Sequence, residues 1–258
     1  MSSGETVKQN NTLKTKWSEK RANWFRNAQR ISDYPDKVIA VIEPILKECK
    51  SALDIGAGAG ALALALAKRL EKVTAVEPAP AMARILKEES ELQGIKNLNI
   101  IALPWKECNV GEHDIIICAN LPSFVVDAPG FLEQIRRLGK YIFHIQNVNP
   151  NKDKFFYKEL YPIIFKREYQ KKVDYLDSYI QFHSLGIYAN VNIIEYNFDQ
   201  PFDDLDEAVD FWKEYLGLET EEFDGFLHDF LINRLKKQNG GYSFVDKKRS
   251  AVIWWKEK

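Results

Sequence analysis

Residues 51–68 read SALDIGAGAGALALALAK. A short apolar run meets an acid, Asp54. Gly56, Gly58 and Gly60 then alternate with alanines and lead into an apolar stripe. Glycine enters backbone conformations that other residues avoid, so the run makes a tight bend. The residues before the bend have the length of a strand, and those after it have the pattern of a helix. The bend leaves bare main chain, and the helix start offers free N–H groups to a ligand. The spacing fits G-x-G-x-x-G/A, which taken alone is compatible with a dinucleotide site.

The acid beside the bend separates the possibilities. A carboxylate at Asp54, two residues before the first glycine, repels a pyrophosphate and favours a ligand carrying an ammonium or a sulfonium. S-adenosylmethionine carries both and has no phosphate. A structural acid at a strand end is the plainer alternative. About twenty residues on, VTAVEPAPAM places Glu77 at the end of a second strand, where a carboxylate accepts hydrogen bonds from a ribose diol. NAD has that diol too, so Glu77 indicates a nucleoside without naming it.

Strands are expected at 52–55, 72–77, 98–103, 114–119 and 141–146, with helices at 61–69, 79–93 and 130–138 between them. The isoleucine run at 115–117 suits a strand buried on both faces. Strands alternating with helices predict a parallel, doubly wound α/β sheet. Ahead of it, 17–31 reads as a helix, and Ser32-Asp33-Tyr34-Pro35 breaks and recaps the chain before a helix to about 47. Past Asn149 the rhythm changes. Helices are expected at 152–165, 173–186 and 221–237, and another starts in the acids at 203–207. Residues 192–198 read as a strand; 242–245 and 250–255 read as a closing pair.

Four stretches, LDIGAGAGALALALA, VTAVEPAPAM, NIIALPWKEC and HDIIICANLPSF, resemble in order and spacing the class I S-adenosylmethionine-dependent methyltransferases over roughly residues 35–148. The resemblance implies a Rossmann-like, seven-stranded, mostly parallel sheet, its last strand antiparallel between the fifth and sixth. It implies an N-terminal helical lid after a disordered tail (1–34) and a methyltransferase domain (35–258). Within that domain lie a cofactor-binding core (about 50–148), acceptor-side helices (about 150–190) and a helical insertion before the last strand (about 203–238). By position, Asp54, Gly56, Ala57 and Gly58 would face the methionine part and Glu77 the ribose. Pro78 and Met82 would flank the adenosine, Pro104 and Trp105 the adenine, and Asn120 and Leu121 the methionine and its methyl. Tyr34 would reach the cofactor carboxylate, and Trp17, Trp24 and Phe25 would shield the sulfonium, with plain packing of the lid as the simpler alternative for those three rings. One departure stands out: many relatives have an acid after the third strand, where Leu103-Pro104-Trp105 stands here. The cofactor implied is S-adenosylmethionine, with S-adenosylhomocysteine as product.

The acceptor is harder to read, because in-line methyl transfer needs little beyond orientation. Tyr175, Tyr179 and His183 share one helix face, and His144 ends the fifth strand; His144, His183 and Tyr179 are the weak catalytic candidates. Asn120-Leu121-Pro122-Ser123 is similar to a stretch of the ribosomal-RNA adenine dimethyltransferases, though here the aromatic, Phe124, comes one place late. Thirty-six basic against thirty-seven acidic residues gives no global field for RNA. A small-molecule acceptor is therefore expected, with RNA adenine methylation and a non-catalytic cofactor-fold binding protein as alternatives. Cys49, Cys108 and Cys118 show no metal spacing, and no metal is expected. The polar start, the lack of any apolar run near ~20 residues and unpaired thiols predict a cytoplasmic protein.

Overall fold

Ala52, Leu53, Val73, Ala75, Ile115, Ile116 and Ile117 are each fully shielded from solvent. Strands apolar on both faces need cover on both, and helices supply it. The computed structural model describes residues 17–122, 126–148, 155–169, 174–238 and 240–257. Its main sheet runs through β1 (Ser51–Ile55), β2 (Lys72–Val76), β3 (Leu98–Ile101), β4 (His113–Ala119), β5 (Gly139–Asn147), β6 (Asn190–Asn197) and β10 (Lys247–Lys256). The order is β3-β2-β1-β4-β5-β10-β6. β1 to β5 are parallel, and β10 pairs antiparallel with both β5 and β6. Strand order reverses between β1 and β4, the place where such sheets open a crevice at their carboxyl ends.

One face of the sheet is covered by α2 (Tyr34–Leu46) and α3 (Ala61–Ala67). The other is covered by α5 (Phe131–Leu138) and α7 (Tyr175–Ser184), through Phe131, Ile135 and Phe182. The helix read as a lid is α1 (Glu19–Arg30), capped by Ser18, whose hydroxyl accepts from the Arg21 amide. It lies on α4 (Pro80–Leu92), with Ala22 against Ala81, Met82 and Ile85.

The region after β6 differs from the helical insertion read in the sequence. α8 (Leu205–Leu216) and α9 (Asp224–Ile232) are present, but β7 (Gln200–Phe202), β8 (Lys236–Gln238) and β9 (Gly241–Phe244) form a separate three-stranded sheet, ordered β7-β9-β8. The closing pair read at 242–245 and 250–255 does not form, because β9 pairs with β7 and β8 instead. The helix read at 221–237 stops at Ile232, and its last residues become β8. These elements and α6 (Tyr157–Phe165) enclose a second, aromatic core around Phe211 and Trp212. Among the described residues no helix is long and apolar enough to cross a membrane.

Candidate functional site

The crevice at the carboxyl ends of β1 and β4 holds a cavity of about 300 Å³. Its floor is the glycine bend. Gly56, Gly58 and Gly60 all have positive φ, at 74°, 57° and 91°. Those values favour glycine, and at Gly58 a Cβ would meet nothing within 4 Å, so bare backbone faces open space. At Gly56 the side chain of Leu121 fills the space a Cβ would take. Gly56 and Ala57 donate to the Val76 carbonyl at 2.8 and 3.1 Å, which ties the bend to the end of β2.

Two acids flank the bend. Asp54, at the end of β1, is 2% exposed. Burial pushes its carboxyl up to about 7; the Ala63 amide draws it down, and the Glu77 charge raises it further. Glu77 is also buried. Its Oε2 accepts from the Gly58 amide at 2.8 Å and its Oε1 from the Ala79 amide at 2.7 Å. The glycine loop and the second acid are thus one hydrogen-bonded unit.

Eleven of the twelve positions read from the sequence as cofactor contacts line this one cavity: Tyr34, Asp54, Gly56, Ala57, Gly58, Glu77, Pro78, Met82, Trp105, Asn120 and Leu121. Pro104 does not; it caps the short 3-10 turn that carries Trp105. The Trp105 indole N–H donates to Gln134 of α5 at 3.0 Å, fixing its ring. Asn120 takes a φ of 51°, which Asn tolerates better than most residues, and its amide donates to Ile145 at 2.8 Å. Ser123 and Phe124, on which the comparison with RNA enzymes turned, lie outside the described residues.

Tyr34 is 8% exposed, and its hydroxyl has no hydrogen-bond partner. Its ring packs on Tyr196 at 4.7 Å. Burial raises its pKa well above the usual phenol value, and the charges of Tyr196 and Asp54 add to this. Gln29 also lines the cavity, and its Oε1 is buried without a partner.

The three weak catalytic candidates fall elsewhere. His144 faces the α7 side of the sheet, 5.3 Å from the Phe182 ring, and burial pushes its pKa down to about 4 against a weaker raising bond from Gln146. Tyr179 packs on that same side, and His183 is exposed beside Tyr188. None of the three lines the cavity, nor does any described residue of 155–190 or 203–238. The described parts of the stretches read as acceptor-side helices and insertion therefore do not wall it. Of the lid aromatics, Trp17 and Phe25 line it, whereas Trp24 turns into the second core and its indole N–H donates to Glu207 at 2.8 Å.

The sequence reading missed Gln29, Asn147, Tyr196, Phe198 and Lys248 in the lining. The last four come from the ends of β5, β6 and β10, strands far apart in the chain that no local motif announces. Among the described residues, histidines, cysteines and acids form no cluster able to hold a metal ion.

Residues 52–140 match the methyltransferase domain family. No curated protein matches the chain. Among solved structures, a candidate methyltransferase from Bacillus halodurans is similar at 16% identity, covering 86% of this chain and 98% of its own, with a TM-score of 0.54. A Bacillus subtilis protein, YcgJ, is similar at 18% identity, 84% and 97% coverage and a TM-score of 0.47. Magnesium protoporphyrin IX methyltransferase from Synechocystis, solved with bound S-adenosylhomocysteine, is similar at 12% identity, 85% and 82% coverage and a TM-score of 0.47. The Bacillus halodurans likeness bears on the fold alone. Residues 52–140 thus carry a methyltransferase domain, set in this strand order.

Proposed function

We propose that the chain transfers the methyl group of S-adenosylmethionine to a small-molecule acceptor held in the same cavity. The observation that carries this is the charge of the lining. Two carboxylates, Asp54 and Glu77, border the bare glycine bend, and the one cation in the described lining, Lys248, lies three strands away from Asp54. Such a site attracts an ammonium and a sulfonium and repels a diphosphate. The open face at Gly58 and the unpartnered Tyr34 hydroxyl fit a ligand with both a cationic and a carboxylate end.

In this reading Asp54, Gly56, Ala57 and Gly58 hold the methionine part, and the Tyr34 hydroxyl donates to its carboxylate. A carboxylate offers about four acceptor sites, so Glu77 can bond two amides and still accept from a ribose diol. Pro78, Met82, Pro104 and Trp105 enclose the adenosine, with the Trp105 ring in place of a polar contact to adenine. Asn120 and Leu121 border the reacting centre. Bound S-adenosylmethionine supplies an electrophilic sulfonium methyl. The chain's own task is then to align an acceptor and exclude water. No histidine lies in the described lining, so no general base is assigned.

Residues 17–34 act as the lid and 35–258 as the methyltransferase domain; the tail read as disordered lies outside the described residues. The lid contributes Trp17, Phe25 and Gln29 to the cavity, and this cover favours a small acceptor over a nucleic acid. The free thiols Cys49, Cys108 and Cys118 suit a reducing compartment, the cytoplasm. Incubation with labelled S-adenosylmethionine and fractionated cell extract tests the reading. Label is expected in the small-molecule fraction; label confined to RNA overturns the acceptor class.

A further inference from the structure

Part of the cavity wall, the Tyr34 hydroxyl at its end apart, has no role in holding the cofactor. Five aromatic rings succeed one another along it. Trp17 lies 5.3 Å from Phe25, Phe25 5.4 Å from Phe198, Phe198 6.5 Å from Tyr196, and Tyr196 4.7 Å from Tyr34. The arc runs from the lid to the far end of β6. All five residues line the cavity.

The polar groups beside the arc share one sheet face. Lys248 pairs across the sheet with Tyr196, and Ser250 pairs with Asn147. Residues two apart on a strand point the same way, so Lys248 and Ser250 face the same side. The Lys248 ammonium sits 4.0 Å from the centroid of the Phe198 ring, and Asp246 anchors it at 3.5 Å. Asn147 Oδ1 accepts from the Tyr196 and Ser250 hydroxyls at 3.5 and 3.4 Å, which leaves its carboxamide nitrogen as the other polar end. A positive charge and an amide donor thus stand next to an extended aromatic surface, on strands three and two places along the sheet from the one that carries Asp54.

We infer that the aromatic arc with Lys248 and Asn147 is the acceptor subsite, and that the acceptor is a planar aromatic molecule bearing a carboxylate. The rings supply stacking area for a flat acceptor. Lys248 and Asn147 supply the cation and the donor that a carboxylate requires. The same carboxylate is repelled by Asp54 and Glu77, which orients the acceptor with its acid away from the glycine bend. This inference rests on the reading that the acceptor enters the cofactor cavity.

The test uses the full chain saturated with S-adenosylhomocysteine, titrated with 2-naphthoate, 2-naphthamide and cyclohexanecarboxylate. Naphthoate is expected to bind about tenfold tighter than either of the others. Lys248→Met should bring naphthoate down to the level of naphthamide, whereas Lys248→Arg should keep the preference. Affinity for S-adenosylhomocysteine, unchanged within about twofold, certifies that each variant is folded. The inference is overturned if the three probes bind alike, if none binds, or if Lys248→Met retains the preference. Failure of the unaltered protein to bind S-adenosylhomocysteine sinks the functional reading itself, and the acceptor subsite with it.

Discussion

Asp54 and Glu77 show how much of a binding site a few residues can disclose. Both are legible in the sequence, because each stands at a fixed distance from a glycine run whose geometry is local. Their consequences are measurable. Glu77→Ala removes the acceptor that braces Gly58 and, on the proposed function, bonds the ribose; it should weaken S-adenosylhomocysteine binding by about 1.5–3 kcal/mol, and calorimetric titration with unchanged affinity would place the ribose elsewhere. Asp54 gives a pH signature. Its carboxyl is raised from 3.8 to about 7 by burial, so the ligand-free fold favours the protonated form. The stability this group contributes is full below its unfolded value and is lost as pH rises through about 7. A cationic ligand reverses that preference, because it binds the carboxylate. Affinity for S-adenosylmethionine should therefore climb as pH rises toward 7 and then level off, with proton release on binding near pH 6. Asp54→Asn should abolish both the climb and the release. Lys248 and Tyr196, by contrast, are invisible as site residues in the sequence, since their place depends on β10 inserting between β5 and β6.

At the level of elements, the alternation of strands and helices through residue 147 is readable because the strands are largely apolar, the inner ones on both faces, and are bounded by turn residues. The small sheet is not readable. Its strands have three or four residues, and β8 is Lys-Lys-Gln, fully exposed and without any apolar signal. Only the antiparallel partner β9 makes it a strand. The lid helix is legible as a helix but not as a bridge. Arg26 Nε and Arg30 Nη2 converge on Glu89 Oε1 of α4 at 2.5 and 2.7 Å. On the other side Arg21 and Ser18 bond Glu214, and Lys20 bonds Asp210, all on α8. Glu89 is nearly buried. Burial raises its pKa, yet the bonds from Arg26 and Arg30 outweigh this and hold it below the usual carboxylate value. The lid attachment is thus complete above about pH 4.5 and weakens as pH falls through the lowered value. Glu89→Ala takes the acid from Arg30 and leaves Arg26 with Glu88 alone, and should cost about 1–3 kcal/mol. The expected readout is faster release of S-adenosylhomocysteine in stopped flow, with proteolysis appearing within 17–33; a release rate equal to that of the unaltered chain would mean the ion pairs do not hold the lid.

The whole molecule has two hydrophobic cores and one chain path that ties them together. The order of the main sheet can be foreseen from the glycine bend onward, because parallel strands joined by helices admit few arrangements. The second core cannot, since its rings come from four separated places: Trp24, Phe155 to Tyr169, Phe202 to Leu218 and Phe223 to Phe244. Trp212 is fully buried at its centre, and its indole N–H donates to the Phe155 carbonyl at 2.9 Å. Two of those stretches, Phe202 to Leu218 and Phe223 to Phe244, lie in sequence between β6 and β10, which are neighbours in the main sheet. Unfolding it releases the segment that delivers β10 into place, and β10 is what joins β6 to β5. The lid adds a second link through Trp24, buried in the aromatic core, on the same helix as Ala22, buried against α4. The two cores should therefore melt in a single transition, with tryptophan fluorescence and far-ultraviolet dichroism giving the same midpoint. Trp212→Ala should cost about 3–5 kcal/mol through the cavity it leaves and lower both midpoints together by about 10 °C. Two separated midpoints in the variant, with the dichroism transition unmoved, would show that the aromatic core unfolds alone and that β10 holds the main sheet without it.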